Sequence, residues 1–167
     1  MQERGFTLVE VMLAVAVVGA LAIIAVPTFF RESRKMRGKT EVTTMFAELA
    51  TKEDQYKVLT SSYLSATACP TSPNVAGQDA TGCVASGQPW DTLKVALPQP
   101  KLSCSYAITA GASGTTPSPP SPFTMSTPSG AWFYVVATCD MDGSSTTNSR
   151  YFTSSVDSAL QIDQEAK

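Results

Sequence analysis

The sequence predicts an α+β fold in which one long N-terminal helix packs on a small antiparallel β-sheet. Residues 1–60 contain one proline, whereas residues 61–167 contain ten of the eleven prolines. Proline and glycine clusters are typical of turns, and β-branched and aromatic runs lie between them. The first part of the chain therefore has a helical composition, and the second part has the composition of short strands and loops.

The first half of the helix is predicted to span a membrane. Residues 11–30, VMLAVAVVGALAIIAVPTFF, carry no charge. At a rise of about 1.5 Å per residue they would extend about 30 Å, the thickness of the hydrocarbon core of a bilayer. A cleaved signal peptide has a shorter apolar core of roughly 7–15 residues. A buried helix of a soluble protein is the other alternative.

The second half of the helix is predicted to be amphipathic. Apolar side chains recur at spacings of three, four or seven residues, which places them on one face. These residues are Val42, Phe46, Leu49, Tyr56, Leu59 and Tyr63. The charged residues between them are expected to face mostly water: Glu41, Glu48, Lys52, Glu53, Asp54 and Lys57. Pro27 is expected to bend or loosen the helix, because it has no backbone N–H.

The remainder of the chain is predicted to form a loop followed by strands. Residues that favour turns occur throughout residues 61–90, which are therefore expected to form an irregular loop. Strands are predicted at 102–108, 132–139, 151–156 and 159–163. Residues 111–122, GASGTTPSPPSP, are expected to form an extended polyproline II segment at the surface.

The four cysteines favour two disulfide bonds. The chain has no histidine and no C-x-x-C pattern, so a zinc site is not expected. A Cys69–Cys83 bond would close the proline-rich loop, and Cys104 would then bond Cys139. Buried free thiols are the alternative.

A strand register supports the second bond. If Cys104 lies opposite Cys139 in an antiparallel pair, Tyr106 lies opposite Ala137 and Ile108 opposite Val135. Apolar side chains then share one face of the sheet, as the two-residue period of strands requires.

A metal site and an active site are both weakly supported. Asp140 and Asp142 resemble the start of a calcium loop, but the third acid is missing and Gly143 comes early. A plain hairpin turn is therefore favoured. No G-x-S-x-G or G-x-x-x-x-G-K pattern occurs, and no catalysis or cofactor is expected. The net charge of −2 implies no broad cationic surface for nucleic acid.

The segment RGFTLVEVMLAVAVVGALAIIAVPTFF resembles the N-terminus of type IV pilins and the related type II secretion pseudopilins. The resemblance implies that a prepilin peptidase cleaves between Gly5 and Phe6 and methylates the new amine of Phe6. Glu10 then takes the fifth mature position, and Pro27 takes the twenty-second.

The resemblance implies a role in assembly for two of these residues. Glu10 would pair with the amine of a neighbouring subunit, which accounts for a carboxylate at the start of an apolar run. Snorkelling of Glu10 at the membrane interface is the alternative. A bent or melted segment at Pro27 would let packed helices lengthen in the filament core.

The implied organisation has five segments in chain order. They are a leader peptide at 1–5, a membrane and filament-core helix at 6–30, its amphipathic continuation at 31–64, an αβ loop at 65–101, and the sheet with its C-terminal disulfide region at 102–167.

Two features of the sequence disagree on the location of the sheet domain. Five of residues 31–39 are basic, against only Arg4 before the apolar run. The positive-inside rule would then place the domain in the cytoplasm, whereas disulfides require an oxidising compartment. The resemblance agrees with the cysteines. We therefore expect a single-pass inner-membrane protein with a periplasmic domain, and a cell-surface pilus after assembly.

The expected function is that of a major or minor pilin for adhesion, motility or DNA uptake. Its implied partners are other pilin subunits, membrane lipid, the prepilin peptidase and, indirectly, an assembly platform and a cytoplasmic ATPase. A type II secretion pseudopilin is the alternative, and the cysteines and the weak calcium loop favour the pilus. A membrane-anchored enzyme or binding protein with a chance match is a third possibility.

Overall fold

The structure is a computed structural model that describes residues 7–141, 143 and 148–164. It contains helix α1 at Leu8–Thr60, strand β1 at Ala66–Cys69, strand β2 at Gln78–Asp79, a 3₁₀ turn at Thr81–Val84 and helix α2 at Pro89–Leu93. Strands β3 to β7 follow at Lys101–Leu102, Cys104–Gly111, Trp132–Cys139, Ser149–Ser154 and Gln161–Asp163.

The strands form one five-stranded sheet and one two-stranded sheet. The larger sheet has the order β1-β4-β5-β6-β7 and the smaller one pairs β2 with β3, with every described pair antiparallel. The predicted α+β architecture, a long N-terminal helix followed by a small antiparallel sheet, is therefore confirmed. The chain divides into two compact units, residues 1–34 and residues 35–167.

The predicted register between β4 and β5 is also confirmed. Cys104 lies opposite Cys139, Tyr106 opposite Ala137, and Ile108 opposite Val135. The structure has disulfide bonds between Cys69 and Cys83 and between Cys104 and Cys139, so all four cysteines are bonded. The second bond joins adjacent strands of the sheet, with Cα atoms 4.2 Å apart.

The main core of residues 35–167 combines one face of α1 with the inner face of the sheet. The fully buried helix side chains Val42, Met45 and Leu49 belong to one cluster with Tyr106 and Val135. Burying such a side chain stabilises the fold by about 1.5–3 kcal/mol. The side chain of Met141 packs directly against the backbone of α1 at Gly38. A Cβ atom at this position would collide with Met141, so only glycine allows the contact.

Helix α1 ends before Tyr63, the last residue of the predicted apolar face. Ser61 has a φ of +63°, in the left-handed region that ends many helices, and its N–H donates to the carbonyl of Lys57 at 2.8 Å. Tyr63 therefore lies beyond the helix, and Leu59 is 84% exposed instead of buried. The first three residues of the predicted apolar face, Val42, Phe46 and Leu49, are buried as predicted.

One loop prediction and one strand prediction differ from the structure. Residues 61–90 contain strands β1 and β2, the 3₁₀ turn and the start of α2, in place of an irregular loop. The predicted strand 102–108 divides at Ser103 into β3 and β4, which belong to different sheets. The division follows from competing partners, because the Ser103 N–H donates to a helix carboxylate and its carbonyl accepts from the N–H of Asn74.

Candidate functional site

The first candidate site is residues 7–30, which comprise Thr7 and the mostly apolar start of α1. Every one of these residues is exposed, and the large apolar side chains among them are between 49% and 77% exposed. Within the described part of the chain, α1 is the one helix long and apolar enough to cross a membrane. Contiguous exposed apolar surface of this extent requires a lipid or protein partner.

Glu10 lies in the first turn of this helix, where Thr7 caps it. The N–H of Glu10 donates to Thr7 Oγ1 at 3.3 Å and to the Thr7 carbonyl at 3.1 Å. Thr-x-x-Glu is the residue pattern of a capping box, and an acidic side chain in the first turn interacts favourably with the helix dipole. The structure thus adds a local role for Glu10, at the helix start, that the sequence analysis missed.

Pro27 lies within α1, which continues through it as helix. Proline has no N–H, so the carbonyl of Ile23 has no backbone donor four residues ahead. The next carbonyl, that of Ile24, accepts a bond from Thr28 Oγ1 at 3.1 Å. Bending or melting at Pro27 in a filament stays a prediction.

The second half of α1 carries a buried carboxylate that fastens it to the sheet. Glu41 is 8% exposed, although the sequence pattern placed it among residues facing water. Its Oε2 accepts from the N–H of Ser103, and its Oε1 accepts from the N–H of Cys104 and the hydroxyl of Tyr106, each at 3.0 Å. This arrangement, the Glu41 clasp, satisfies the backbone donors at the division between β3 and β4. Burial, and then the charge of Glu41, raises the pKa of Tyr106, so its hydroxyl remains a donor.

Glu53 is a second buried carboxyl group, also expected from the sequence to face water. It is 0% exposed. Its Oε2 accepts from the N–H of Leu64 at 2.9 Å, and its Oε1 has no hydrogen-bond partner among the described residues. Burial raises the pKa of Glu53 to about 7, against the lowering effect of the Leu64 bond, and the charge of Asp54 adds to the rise.

A polar chain surrounds the same end of α1. Lys57 Nζ donates to the hydroxyl of Tyr63 at 3.1 Å, and this hydroxyl donates to Asp54 Oδ1 at 3.1 Å. Lys57 also lies 4.5 Å from the centre of the Tyr63 ring. Burial raises the pKa of Tyr63, which keeps it protonated as a donor.

The calcium candidate receives little support. Asp140 Oδ1 accepts from the N–H of Gly143 at 2.7 Å, as in a plain turn. Asp142 lies outside the described residues. In the parts of the chain that the structure describes, no three His, Cys, Asp or Glu side chains are grouped to hold a metal ion.

Comparison with known proteins bears on the N-terminus. Residues 1–26 match the family model described as the prokaryotic N-terminal methylation motif. The chain carries a prepilin-type N-terminus. It is also similar to the type IV major pilin protein PilA of Myxococcus xanthus strain DK1622, with 40% identity over 48 residues. This match covers 27% of the chain and 22% of PilA. The resemblance to type IV pilins is confirmed by both findings, whereas no solved structure is significantly similar to the chain.

The prepilin-type N-terminus contains the residues expected to be processed. Gly5 and Phe6 lie outside the described residues, so their cleavage and methylation stay predictions. Glu10 and Pro27 are placed on the exposed part of α1. The buried Glu41 and Glu53 lie in the other compact unit. Their burial had no signal in the sequence, because their partners are distant residues or turns.

Proposed function

We propose that the chain is a pilin subunit of a bacterial type IV pilus. The observation that carries the proposal is that a prepilin-type N-terminus continues into a helix with exposed apolar side chains over residues 8–30. The same chain has a sheet domain with two disulfide bonds, which supports a location in an oxidising compartment outside the cytoplasm. The filament serves adhesion, motility or DNA uptake.

The apolar helix has two successive environments in this proposal. After cleavage of residues 1–5, residues 6–30 anchor the subunit in the inner membrane, with residues 31–167 on the periplasmic side. On assembly, the same helix leaves the lipid and packs against other subunits in the filament core. Both environments are apolar. The side chains of residues 8–30, which are exposed in the isolated chain, are therefore covered by lipid before the transfer and by other subunits after it.

Glu10 guides the addition of subunits. Cleavage after Gly5 creates a cationic amine at Phe6, and Glu10 supplies a carboxylate in the first turn of the helix. Within the dry filament core, an unpaired charge is strongly unfavourable. A subunit is therefore stabilised where its amine meets the Glu10 of a neighbour, and this pairing fixes the axial step. The prepilin peptidase, an assembly platform and a cytoplasmic ATPase are the proposed partners in processing and assembly.

The mature terminus gives the first test. The mass of protein from membranes or sheared fibres should correspond to a chain that begins at Phe6 with a methylated amine. An intact Met1 terminus in assembled fibres would refute the processing step.

Substitutions of Glu10 give the second test and separate its two roles. Glu10→Val should leave membrane anchoring and cleavage intact but block incorporation into fibres, because each incoming amine meets no carboxylate. Glu10→Gln is the matched control, since glutamine preserves the capping-box pattern and removes only the charge. The pairing mechanism predicts that both variants fail to assemble. Normal assembly of the Gln variant would show that Glu10 acts only as a helix-capping residue.

A pseudopilin of a type II secretion system shares the prepilin-type N-terminus. The neighbouring genes distinguish the two, because a pilus system has a retraction ATPase beside its secretin and a secretion system has its own set of components. Abundance in sheared surface fibres then separates a major from a minor subunit.

A further inference from the structure

Three glutamates of α1 each accept a hydrogen bond from a backbone N–H that follows the helix in the chain. In the Glu41 clasp the carboxylate has three donors. Glu48 Oε1 accepts from the N–H of Ala96 at 2.8 Å, and Glu53 Oε2 accepts from that of Leu64 at 2.9 Å. The surroundings of the three carboxyl groups differ, and they decide which group is stable as an anion in the folded chain.

Glu41 and Glu48 have the partners that a carboxylate needs. Three donors share the two oxygens of Glu41, which compensates for the burial of this group. The side chain of Glu48 is 25% exposed, and its Oε1 lies 3.9 Å from Lys52 Nζ. Water and a neighbouring cation therefore remain available to Glu48. Both groups can hold their backbone partners as anions.

Glu53 has neither kind of support. Its side chain is fully buried, its donor is the Leu64 N–H, and its Oε1 has no hydrogen-bond partner among the described residues. A buried carboxylate with an unsatisfied oxygen is strongly unfavourable, whereas protonation removes the charge and leaves the bond from Leu64 in place. The pKa of about 7 that burial gives Glu53 agrees with this geometry.

The charged groups near this end of the helix do not compensate an ionised Glu53. The charge of Asp54 opposes ionisation, and Lys57 Nζ donates to the Tyr63 hydroxyl. Residues 102–139 contain no Asp, Glu, Lys or Arg. The other ionisable side chains of the helix end, α2 and the strands have partners of their own: Lys52 with Glu48, Lys94 with Asp91, Lys101 with Asp79, Arg150 with Asp163, Tyr106 with Glu41, and Tyr134 with the carbonyl of Ser118.

The residues that Glu53 holds, 61–65, form the α1–β1 connection. Its three serines are exposed, and Tyr63 and Leu64 are only half-buried. On the other side of the contact, α1 is fixed by side chains such as Leu49, which is fully buried. Segments with few buried contacts open at the lowest cost in free energy. The connection therefore moves before the helix does.

Further contacts to the α1–β1 connection involve neutral or exposed groups. The Tyr63 ring packs edge-on against Phe133, with centres 4.8 Å apart, and its hydroxyl donates to the exposed Asp54. Ser65 Oγ accepts from the N–H of Ala110 at 2.9 Å. These contacts lie on both sides of Leu64. Loss of the Glu53 bond is therefore the step that frees the middle of the connection.

We propose that Glu53 is a pH-sensitive latch: its protonated carboxyl group holds the α1–β1 connection against the end of α1, and its ionisation releases the connection while the sheet and the helix remain folded. Opening lets water reach the carboxylate, and the proton passes to the solvent. The Tyr63 ring then leaves Phe133, which is 2% exposed in the closed form. Release thus uncovers a buried aromatic side chain of β5.

The size of the pH effect follows from the binding of this proton. The carboxyl group has a pKa of about 7 in the closed form, against an ordinary value of 4.5 when it is hydrated. Because the closed form binds the proton more tightly, closure is favoured at low pH and is lost as the pH rises from 4.5 to about 7. Between pH 5.5 and pH 8 the equilibrium constant for opening should rise about thirtyfold.

Hydrogen exchange of the full chain in detergent measures the opening. The reporter is the amide of Leu64, read from overlapping peptides, with rates corrected for the intrinsic pH dependence of amide exchange. We expect its protection to fall about thirtyfold between pH 5.5 and pH 8. Amides of residues 42–49 should stay at least about tenfold better protected at both pH values, because they open only with the whole domain. Equal protection of the two regions would indicate global unfolding alone and overturn the latch.

Two glutamine variants identify the responsible group. Glu53→Gln mimics the protonated carboxyl group and should reduce the change at Leu64 to less than about threefold. Glu48→Gln is the matched control, because Glu48 also accepts from one backbone N–H but is partly exposed. This control should keep the change of about thirtyfold. An unaltered pH response in the Glu53→Gln variant, or a lost response in the Glu48→Gln variant, would contradict the proposal.

Proteolysis at a single pH gives a second readout, in which the protease has the same activity on every sample. Chymotrypsin at pH 8 cleaves after Tyr63 and Leu64 when the connection is open. Cleavage there should be at least about tenfold faster in the unmodified chain and in Glu48→Gln than in Glu53→Gln, since cleavage follows the population of the open form. Equal rates in all three chains would overturn the latch. Both readouts are independent of N-terminal cleavage and of assembly, so failure here is distinguishable from failure of the pilin assignment.

Discussion

We expect Glu53 to make the stability of the sheet domain fall as the pH rises, and its substitution by glutamine to remove this contribution. Burial raises the pKa of the folded carboxyl group from 4.5 to about 7. Below pH 4.5 the group is protonated in both the folded and the unfolded chain. Between the two values the folded protein keeps a proton that the unfolded chain releases, so the free energy of unfolding decreases. Above about pH 7 the loss is complete and amounts to about 3 kcal/mol, since one pKa unit corresponds to about 1.4 kcal/mol.

Urea unfolding of the full chain in detergent, followed by tryptophan fluorescence at several pH values, measures this effect. Glu53→Gln mimics the protonated carboxyl group. Its free energy of unfolding, relative to the unmodified chain, should rise by about 3 kcal/mol between pH 4.5 and pH 8. Asp54→Asn should shift the pH midpoint of the effect downward, because the charge of Asp54 helps to raise the pKa of Glu53. Parallel pH profiles for the Gln variant and the unmodified chain would refute the reasoning.

Two further predictions concern the bonds that hold α1 and the sheet. Glu41→Ala should lower the free energy of unfolding by about 3–5 kcal/mol, because it leaves buried donors at Ser103, Cys104 and Tyr106 without an acceptor. Tyr106→Phe should cost less, and equal losses in urea unfolding would contradict the clasp. Peptide mapping without reduction should link Cys69 to Cys83 and Cys104 to Cys139, with no thiol open to labelling. Replacing both cysteines of one bond by serine should cost about 2–5 kcal/mol in the same unfolding assay, and a crossed map would refute the pairing.

The elements that the sequence predicted well depend on local pattern. The apolar run identifies the first half of α1, and alternation within residues 102–108 and 132–139 correctly predicts the register that aligns Cys104 with Cys139. The methylation motif is likewise a local string, and the family comparison confirms it. Such features need no information about distant partners.

The features that were missed depend on partners far along the chain. A helix pattern assigns Glu41 to water, because nothing near it reveals the N–H groups of Ser103 and Cys104. The proline-rich stretch was expected to be extended and at the surface. Its docking on Trp132 and Tyr134 could not be predicted, since those donors also serve as ordinary strand residues.

The Glu41 clasp also offers a path for mechanical load from α1 into the sheet. A pull on α1 is passed through the Glu41 carboxylate to the backbone of Cys104, whose side chain is covalently joined to Cys139 on β5. This route reaches β4 and β5, two inner strands of the five, and it adds to the covalent link from the end of α1 to the edge strand β1. The covalent link alone would load the sheet at one edge and let its strands separate one at a time, so we expect the clasp and the disulfide to share the tension with the inner strands.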